Sequence, residues 1–485
     1  MKENNLNDLA TRPVGRLLWQ YSVPAVVGML VMALYNVVDR VFIGQVVGPE
    51  AIAGLALTFP LMNITTAVGV LVGVGSSTRI SIMMGRGDKP RAGLILGNAA
   101  TLTFANAAVY IAVFALYMDP ILRAFGAGDL TLPYARTYMM WVLPGLLLTN
   151  VAFGLNNVLR ATGYPGKAMY TMLIGAGVNI ALDALFVLVL DWGMVGAAIA
   201  TDIAMLVSAI FVVAHFFRPG VTLGFSRGTF GLRGRVILDI VSIGAAPAIV
   251  NAASCLINAL INRSLLVHGG DMAIGAAGIF VTFTSLLTTV MIGINMGLQP
   301  ILGYNYGAGL LHRLRRVMWI AMGAVTVVAA AGSALGLLMP GHIARAFTTD
   351  DYLIGVTEHC LRTTLWAFSI VGIPIVITCF FQSIGSPARS MFLSLTRQVI
   401  FLIPLMLWLP QTMGVTGVWL SFPISDLLAL TVSVAMYVYQ LRVIGRDQRR
   451  TTDRGSMPDP DRDRPDRNLR KDPAEAVAAE EVAAP

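Results

Sequence analysis

Charged side chains are scarce in this sequence: Lys, Arg, Asp and Glu make up only 12% of its 485 residues. A soluble domain carries about 25%, and the mean hydropathy of +0.73 is also strongly apolar. Much of the charge lies at the carboxyl end, where residues 446–485 hold 19 of the 60 charged residues. The composition therefore excludes an ordinary soluble protein and predicts a polytopic membrane protein with a disordered, charged tail.

Cysteine and histidine are also few. The three cysteines (Cys255, Cys360 and Cys379) lie in apolar stretches without a close pair, and the five histidines are scattered near the ends of apolar runs. Neither pattern favours a structural metal, a redox centre or a metal-dependent enzyme. The basic residues lie in short loops, as membrane orientation requires, and this excludes nucleic acid as a partner. We expect a transporter, without a cofactor, rather than an enzyme.

Twelve apolar runs are long enough to cross a bilayer, which takes about 20 residues each. We number them as spans 1 to 12: 17–45, 51–84, 93–117, 137–159, 168–190, 194–217, 237–266, 272–306, 317–340, 354–384, 388–410 and 414–441. The N-terminus and the connections after even-numbered spans hold sixteen Lys or Arg, and the opposite side holds six. This bias places both termini in the cytoplasm.

The two halves of the sequence resemble each other at an offset of 221–223 residues. Residues 24–40 match residues 247–263, and three shorter Gly- or Pro-containing motifs repeat in the same order. Each half has six spans, so a twofold axis along the membrane normal should relate them. We predict an all-α protein with lobes at 1–225 and 226–445 and a tail at 446–485, in which one chain suffices as a monomer.

Carboxylates occur inside several spans of the first half. Asp183 has Asn179 one helical turn before it, and both Asp39 and the pair Thr201–Asp202 lie at a similar depth, roughly 10–13 Å from one membrane boundary. An ionisable group in hydrocarbon costs about 2.5–3.5 kcal/mol, so such groups usually bind or move something. Oxygen ligands of this kind suit Na⁺, and a single carboxyl group with a raised pKa suits a proton.

The aligned positions of the second half lack these acids: Asp39 matches Asn262, and Asp202 matches Pro423. Alternatives remain for individual residues. Asp39 could form an ion pair with Arg40 at the membrane interface, and Asp202 could satisfy neighbouring backbone or hydroxyl groups. In the second half, Arg397 and Asp426 form a candidate polar site, or simply pair. Pro24, in the span that carries Asp39, is a candidate hinge or an ordinary kink.

The combination of duplicated six-span halves, Pro24 with YNVVDRVFIG, LRATGYP after span 4, and Asn179-x-x-x-Asp183 resembles the multidrug and toxic compound extrusion (MATE) family over residues 10–445. The acids confined to the first half favour its DinF/MepA-like branch. The resemblance implies cation-coupled export of drug-like, often cationic, amphiphilic compounds across the bacterial inner membrane, with a role in antibiotic resistance. It also implies a coupling site at Asp39, Asn179, Asp183 and Thr201, supported by Tyr35 and by Asn156 or its neighbour Asn157.

We therefore expect an H⁺- or Na⁺-driven antiporter that meets small amphiphilic molecules and membrane lipids. The nearest rival is a flippase for lipid-linked precursors, which would be expected to line its cleft with more Lys and Arg. Only Arg79 and Arg397 are basic residues well inside the spans, so the sequence disfavours that rival. A channel is disfavoured because no ring of polar residues recurs in both halves.

Overall fold

The computed structural model describes residues 4–46 and 49–454. Within these ranges the secondary structure is helical, and eleven helices are long and apolar enough to cross a membrane. A twelfth crossing follows if the bent pair Asp351–Ile370 and Gly372–Ser383, which meet at 42°, is counted as one span. This agrees with the predicted twelve-span, all-α architecture.

The first half begins with the short helix Asn4–Thr11. Its six spans are Val14–Val46, Pro49–Gly85, Lys89–Ala124, Leu132–Ala161, Pro165–Asp183 continued by the π-helix Ala184–Val189, and Gly193–Phe217. Spans 3, 4 and 5 each have proline at the first or second helical position. N–H groups in the first turn have no acceptor within the helix, so proline costs no hydrogen bond there.

The second half follows the 3₁₀ turn Arg227–Phe230. Spans 7 and 8 lie in one helical stretch, Gly234–Gly307, broken at Gly270, where φ is +67° and ψ is −167°. Only glycine adopts such a conformation readily, and the break falls between the two predicted runs. The remaining elements are Leu311–Leu338, Pro340–Arg345, Asp351–Thr364 with Leu365–Ile370 and Gly372–Ser383, Pro387–Leu395 with the π-helix Thr396–Leu402 and Ile403–Met413, and Val415–Arg454.

Two compact units can be distinguished, residues 1–433 and residues 434–485. The first predicted lobe and residues 226–433 of the second fall within the first unit, so the boundary near residue 225 stays a prediction. The last helix, Val415–Arg454, extends beyond residue 446, so the first residues of the tail, which was predicted to be disordered, are helical. Residues 455–485, the rest of that tail, lie outside the described ranges.

Neighbouring spans run in opposite directions, so one end of the bundle carries the N-terminus and the connections after even-numbered spans. We call this end the terminal face and the other the distal face. Near the terminal face the two halves approach at backbone distance through glycines. Gly75 lies against the carbonyl of Ile240, and Gly244 lies against the carbonyl of Leu71. We call this glycine-lined contact, which also includes Gly85 and Gly307, the terminal seam.

Polar side chains also join the halves along the terminal seam. Arg79 of span 2 forms an ion pair with Asp239 of span 7 at 2.9 Å. Gln299 of span 8 donates from Nε2 to Thr78 Oγ1 at 2.6 Å. The halves are therefore closed on each other at the terminal face by both packing and charge.

Candidate functional site

Asp183 is the last residue of the α-helical part of span 5, and a π-helical turn begins immediately after it. Its side chain is fully buried, and neither carboxyl oxygen has a hydrogen-bond partner. Buried polar groups are almost always hydrogen-bonded, and π-helical turns frequently mark functional sites. The residue that the sequence singles out most strongly is thus also an unsatisfied acceptor in the interior.

Asn179 lies one turn before Asp183 and is fully buried as well. Its Nδ2 donates to Thr201 Oγ1 of span 6 at 3.3 Å, whereas its Oδ1 has no partner. The amide oxygen therefore remains available on the same helix face as the carboxylate. Asn179, one turn before Asp183, thus links span 5 to Thr201 of span 6.

Span 1 contributes Asp39 and Tyr35. The carboxylates of Asp39 and Asp183 are close enough to repel each other when both are charged. Tyr35, one turn before Asp39, interacts electrostatically with both acids. These electrostatic interactions, with the hydrogen bond between Asn179 and Thr201, bring residues of spans 1, 5 and 6 into one region.

Asp202 is half-buried and lies against the backbone of span 4. Its carboxylate occupies the space that a Cβ on Gly145 would need, so spans 4 and 6 approach closely there. Its Oδ1 is buried without a hydrogen-bond partner. The carboxylates of Asp39, Asp183 and Asp202, with Asn179 and Thr201, form what we call the acidic cluster.

Tyr138 of span 4 was missed by the sequence analysis. It is 3% exposed, and it interacts electrostatically with Tyr35 and with the carboxylates of Asp39, Asp183 and Asp202. A phenolic hydroxyl can donate to a carboxylate, so Tyr138 adds a donor to a cluster made mostly of acceptors. Its position near the distal end of span 4 matches the depth of the acids, which is the signal that could have identified it.

No described Lys or Arg side chain forms an ion pair with Asp183 or Asp202. The cluster offers carboxylate, amide and hydroxyl oxygens, the ligands that hard cations prefer. Among the residues that the structure describes, no group of three His, Cys, Asp or Glu side chains is arranged to hold a metal ion. Any metal cation would therefore need the neutral oxygens of Asn179 and Thr201, whereas a proton needs one carboxylate.

A cavity of about 440 Å³, including its open mouth, lies next to this cluster within the first half. Its wall is mostly apolar and contains three flexible thioethers. It is lined by Met32, Tyr35, Thr149, Ala152, Phe153, Asn156, Thr171, Met172, Gly175, Ala176, Met205 and Ser208. Tyr35 belongs to both the cavity wall and the acidic cluster, so it joins the two sites.

Asn156 is placed in this wall rather than against the acids. Its Nδ2 donates to the carbonyl of Ala168 at 2.6 Å, and its Oδ1 is buried without a partner. The neighbouring Asn157 instead accepts from Arg160 at 2.9 Å. Asn156 thus offers a free acceptor to the cavity region.

Pro24, the candidate hinge, lies within a continuous helix, Val14–Val46.

The second half contains a different polar feature. Arg397 Nε lies 2.6 Å from Asp426 Oδ1, so these two residues pair across spans 11 and 12. Asp426 is 6% exposed and Arg397 lies in the π-helical turn of span 11. Because each charge is compensated by the other, this site lacks the unpartnered oxygens of the acidic cluster.

Comparisons with known proteins agree with this architecture. The sequence pattern of the MatE family matches residues 24–185 and again residues 247–408. A protein named FAD transporter from Shewanella oneidensis is 27% identical over 445 residues, covering 90% of this chain and 96% of that protein. Multidrug export protein MepA of Staphylococcus aureus is 25% identical over 444 residues, covering 91% and 97%.

Solved structures share the fold. An outward-facing multidrug resistance MATE family transporter of the MOP superfamily gives a TM-score of 0.85 at 23% identity, covering 90% of this chain and 98% of that one. A MATE transporter in a bent conformation gives 0.86 at 23% identity, covering 92% and 99%. With the family pattern matched once in each half of a twelve-span helical protein, the chain belongs to the MatE family and is a MATE efflux transporter.

Proposed function

We propose that this protein is a cation-coupled antiporter that exports amphiphilic, often cationic, compounds by alternating access. The observation that carries the proposal is the buried, unpartnered carboxylate of Asp183 beside Asn179, Thr201 and the carboxylate of Asp39. Several carboxylates in a low-dielectric interior cannot all remain charged without a counter-ion. A proton or Na⁺ supplies that counter-charge.

The ion does work only if it binds one packing of the first half more tightly than another. The acidic cluster is built from spans 1, 5 and 6, and an ion that draws their carboxylates together changes how these spans pack. Tyr35 interacts electrostatically with Asp39 and Asp183 and also forms part of the cavity wall. A shift of span 1 on ion binding therefore reshapes the cavity and lowers its affinity for the substrate.

The cavity wall supports the substrate class. Its methionines and Phe153 adapt to varied apolar shapes, and no Lys or Arg is among the residues that line it. The nearby carboxylates attract a cation. The relative named FAD transporter raises flavin dinucleotide as a substrate, but its pyrophosphate would meet acids instead of basic groups. The same argument disfavours a flippase for anionic lipid-linked precursors.

Closure at the terminal seam makes the distal face the open side, which releases substrate outward if the termini are cytoplasmic. Reversal of the cycle needs the seam to open so that the cavity faces the terminal side. The repeat favours such rocking, because equivalent spans of the two halves meet at the seam.

Efflux of a fluorescent organic cation from everted vesicles tests the proposal, with the Na⁺ and H⁺ gradients collapsed separately. We expect export to stop when one of the two gradients is removed, and to stop in Asp183→Asn at unchanged membrane abundance. Asn262→Ala, at the repeat position equivalent to Asp39, serves as the matched control and should transport normally. Wild-type export by the Asp183→Asn protein, or export indifferent to both gradients, contradicts the proposal.

A further inference from the structure

A row of mostly polar residues lies between spans 5 and 6 and runs from the acidic cluster to the terminal face. On span 5 it takes every fourth position, the spacing of a ridge along a helix: Lys167, Thr171, Gly175, Asn179 and Asp183. On span 6 it takes every seventh position: Thr201, Ser208 and His215. We call these residues the polar row. Its length from Asp183 to Lys167 is about 24 Å along the helix axis.

The two spans contact each other along this row. Asn179 Nδ2 donates to Thr201 Oγ1 at 3.3 Å. Nearer the terminal face, Ser208 Oγ donates to the carbonyl of Thr171 at 3.3 Å. The same hydroxyl occupies the space that a Cβ on Gly175 would need, so the absence of a side chain there keeps Ser208 within the row.

The terminal end of the row is formed by Lys167 and His215. Lys167 Nζ lies 3.0 Å from His215 Nδ1, and Lys167 is partly exposed. The other ring nitrogen, Nε2, points away from Lys167 and is buried, with no hydrogen-bond partner in the described part of the chain. Histidine takes up and releases protons near neutral pH, and its two nitrogens serve different neighbours. The ring therefore has one nitrogen on a partly exposed amine and the other in the protein interior.

The cavity of the first half lies along the middle of the row. Thr171, Gly175 and Ser208 line it, and so does Asn156 of span 4. Asn156 Nδ2 donates to the carbonyl of Ala168 at 2.6 Å, which places this amide near the terminal end of the row. Its Oδ1 is buried and has no partner among the described residues. Internal water binds to buried polar atoms of this kind, so water in the cavity can join the acidic cluster to the terminal end.

The second half does not repeat the row. At the repeat offset of 221–222 residues, apolar side chains replace its hydroxyls, amide, acid and imidazole: Leu393, Phe401 and Leu405 on span 11, and Phe422, Ala429 and Met436 on span 12. The two remaining positions are basic, and one of them, Arg397, is paired with Asp426. Polar contacts often hold membrane helices together, but the equivalent spans of the second half lack this row. It occurs only in the half that carries the acidic cluster.

We propose that the polar row carries protons from the acidic cluster to the terminal face, with His215 and Lys167 as its exit. This rests on the proposed function, because it takes the acidic cluster as the coupling site, and it assigns H⁺ as the coupling ion. The acids lie near the distal boundary, so a proton taken up there must cross most of the membrane before its release at the terminal face. The row covers that distance inside the first half, without passing through the terminal seam.

At the exit the proton passes through the imidazole ring. Lys167 releases its proton to water at the terminal face. His215 then takes a proton from the water of the row on one ring nitrogen and gives one from the other nitrogen to the neutral amine of Lys167. One proton has moved from the row to the terminal face, and both side chains have regained their starting charges.

Transport of radiolabelled ethidium, an organic cation, by the purified full-length protein in liposomes tests this path in two modes. Net transport driven by a pH gradient requires proton release, whereas exchange of labelled for unlabelled ethidium at equal pH does not. His215→Gln keeps a hydrogen-bond donor and acceptor but cannot carry a proton, and Lys167→Met removes the amine. We expect each variant to slow pH-driven net transport at least tenfold and to leave exchange within twofold of the wild type.

His312→Gln is the matched control, because this histidine lies at the terminal end of span 9 in the second half, and it should change neither mode. Equal losses of net transport and exchange in His215→Gln and Lys167→Met would make the pair structural. Undiminished net transport would show that protons leave elsewhere, and either result overturns the path. Wild-type transport that is driven by Na⁺ and not by a pH gradient also overturns it, but leaves the cation-coupled antiporter intact. Transport indifferent to both gradients contradicts the antiporter itself.

Discussion

Gly85 lies against the carbonyl of Tyr304, and Gly307 lies against the carbonyl of Ile82. Gly85 and Gly307 are 222 residues apart, and so are Ile82 and Tyr304. The two contacts are therefore the same contact made twice by equivalent residues of the two halves. This exchange locates the pseudo-twofold axis between spans 2 and 8 at the terminal face.

A larger side chain at this crossing should hold the terminal seam open. In Gly85→Val the added carbons would overlap the backbone of Tyr304, and backbone cannot move aside as a flexible side chain can. We expect efflux to fall at least tenfold, and a cysteine placed at the buried position Ser77 to react faster with a polar maleimide applied from the terminal side. Gly323→Val is the control, since a Cβ there meets nothing within 4 Å. Unchanged labelling and efflux in Gly85→Val would show that the seam does not gate access.

The ion pair between Arg79 and Asp239 should stabilise the closed terminal face. Both side chains are partly buried, with exposed fractions of 16% and 33%, so the coupling should be about 1 kcal/mol, near the upper limit for exposed pairs. A double-mutant cycle of Arg79→Gln and Asp239→Asn, read out by the same maleimide labelling, measures it. Additive effects of the two substitutions would mean that the pair contributes nothing to closure.

Arg313 of span 9 hydrogen-bonds the N-terminal helix to the second half. Its Nη2 donates to the carbonyls of Leu9 at 3.1 Å and of Arg12 at 2.6 Å, and Asn305 also donates to Leu9. In Arg313→Met we expect backbone amides around residues 8–12 to exchange hydrogen at least tenfold faster. Arg316→Met, an exposed residue one turn along span 9, should leave that exchange unchanged. Equal protection in both variants contradicts a fastening role.

The pair of Arg397 and Asp426 should matter for stability more than for coupling. Arg397→Met leaves the buried Asp426 carboxylate without its partner, which should cost about 3 kcal/mol of unfolding free energy, while Arg397→Lys should recover part of that loss. Thermal unfolding in detergent measures both variants, and vesicle efflux at low temperature shows whether the folded fraction still transports. Loss of efflux at an unchanged Tm would instead make this pair part of the transport site.

Much of this architecture follows from the sequence because hydrocarbon imposes simple rules. In hydrocarbon the long apolar runs had to form helices, and a break had to lie between the runs 237–266 and 272–306, where the structure has Gly270. Asn179, Asp183 and Thr201 could be grouped because helix period and depth fix their relative heights. What could not be derived is rotation about each helix axis, which decides that Tyr138 faces the acids and that Asn156 faces the cavity.

The contacts of the terminal seam could not be predicted either, although the sequence shows each of its glycines. The sequence does not show which helix packs against Gly75 or Gly244, because glycine is frequent throughout membrane spans. The π-helical turn after Asp183 has no composition signal either, since Ala184–Val189 reads as an ordinary apolar helix. Both features depend on packing between distant segments.

The carboxyl oxygens of Asp183 and the amide oxygen of Asn179, which have no hydrogen-bond partners, affect the stability of the protein. An unfolded chain cannot assemble those oxygens, so the ion that fits them binds only the native protein and must raise its stability by mass action, by about 2.7 kcal/mol at a hundredfold excess over Kd. Melting curves in sodium, potassium and acidic buffers, measured without substrate or bilayer, therefore identify the driving ion as the one that raises Tm.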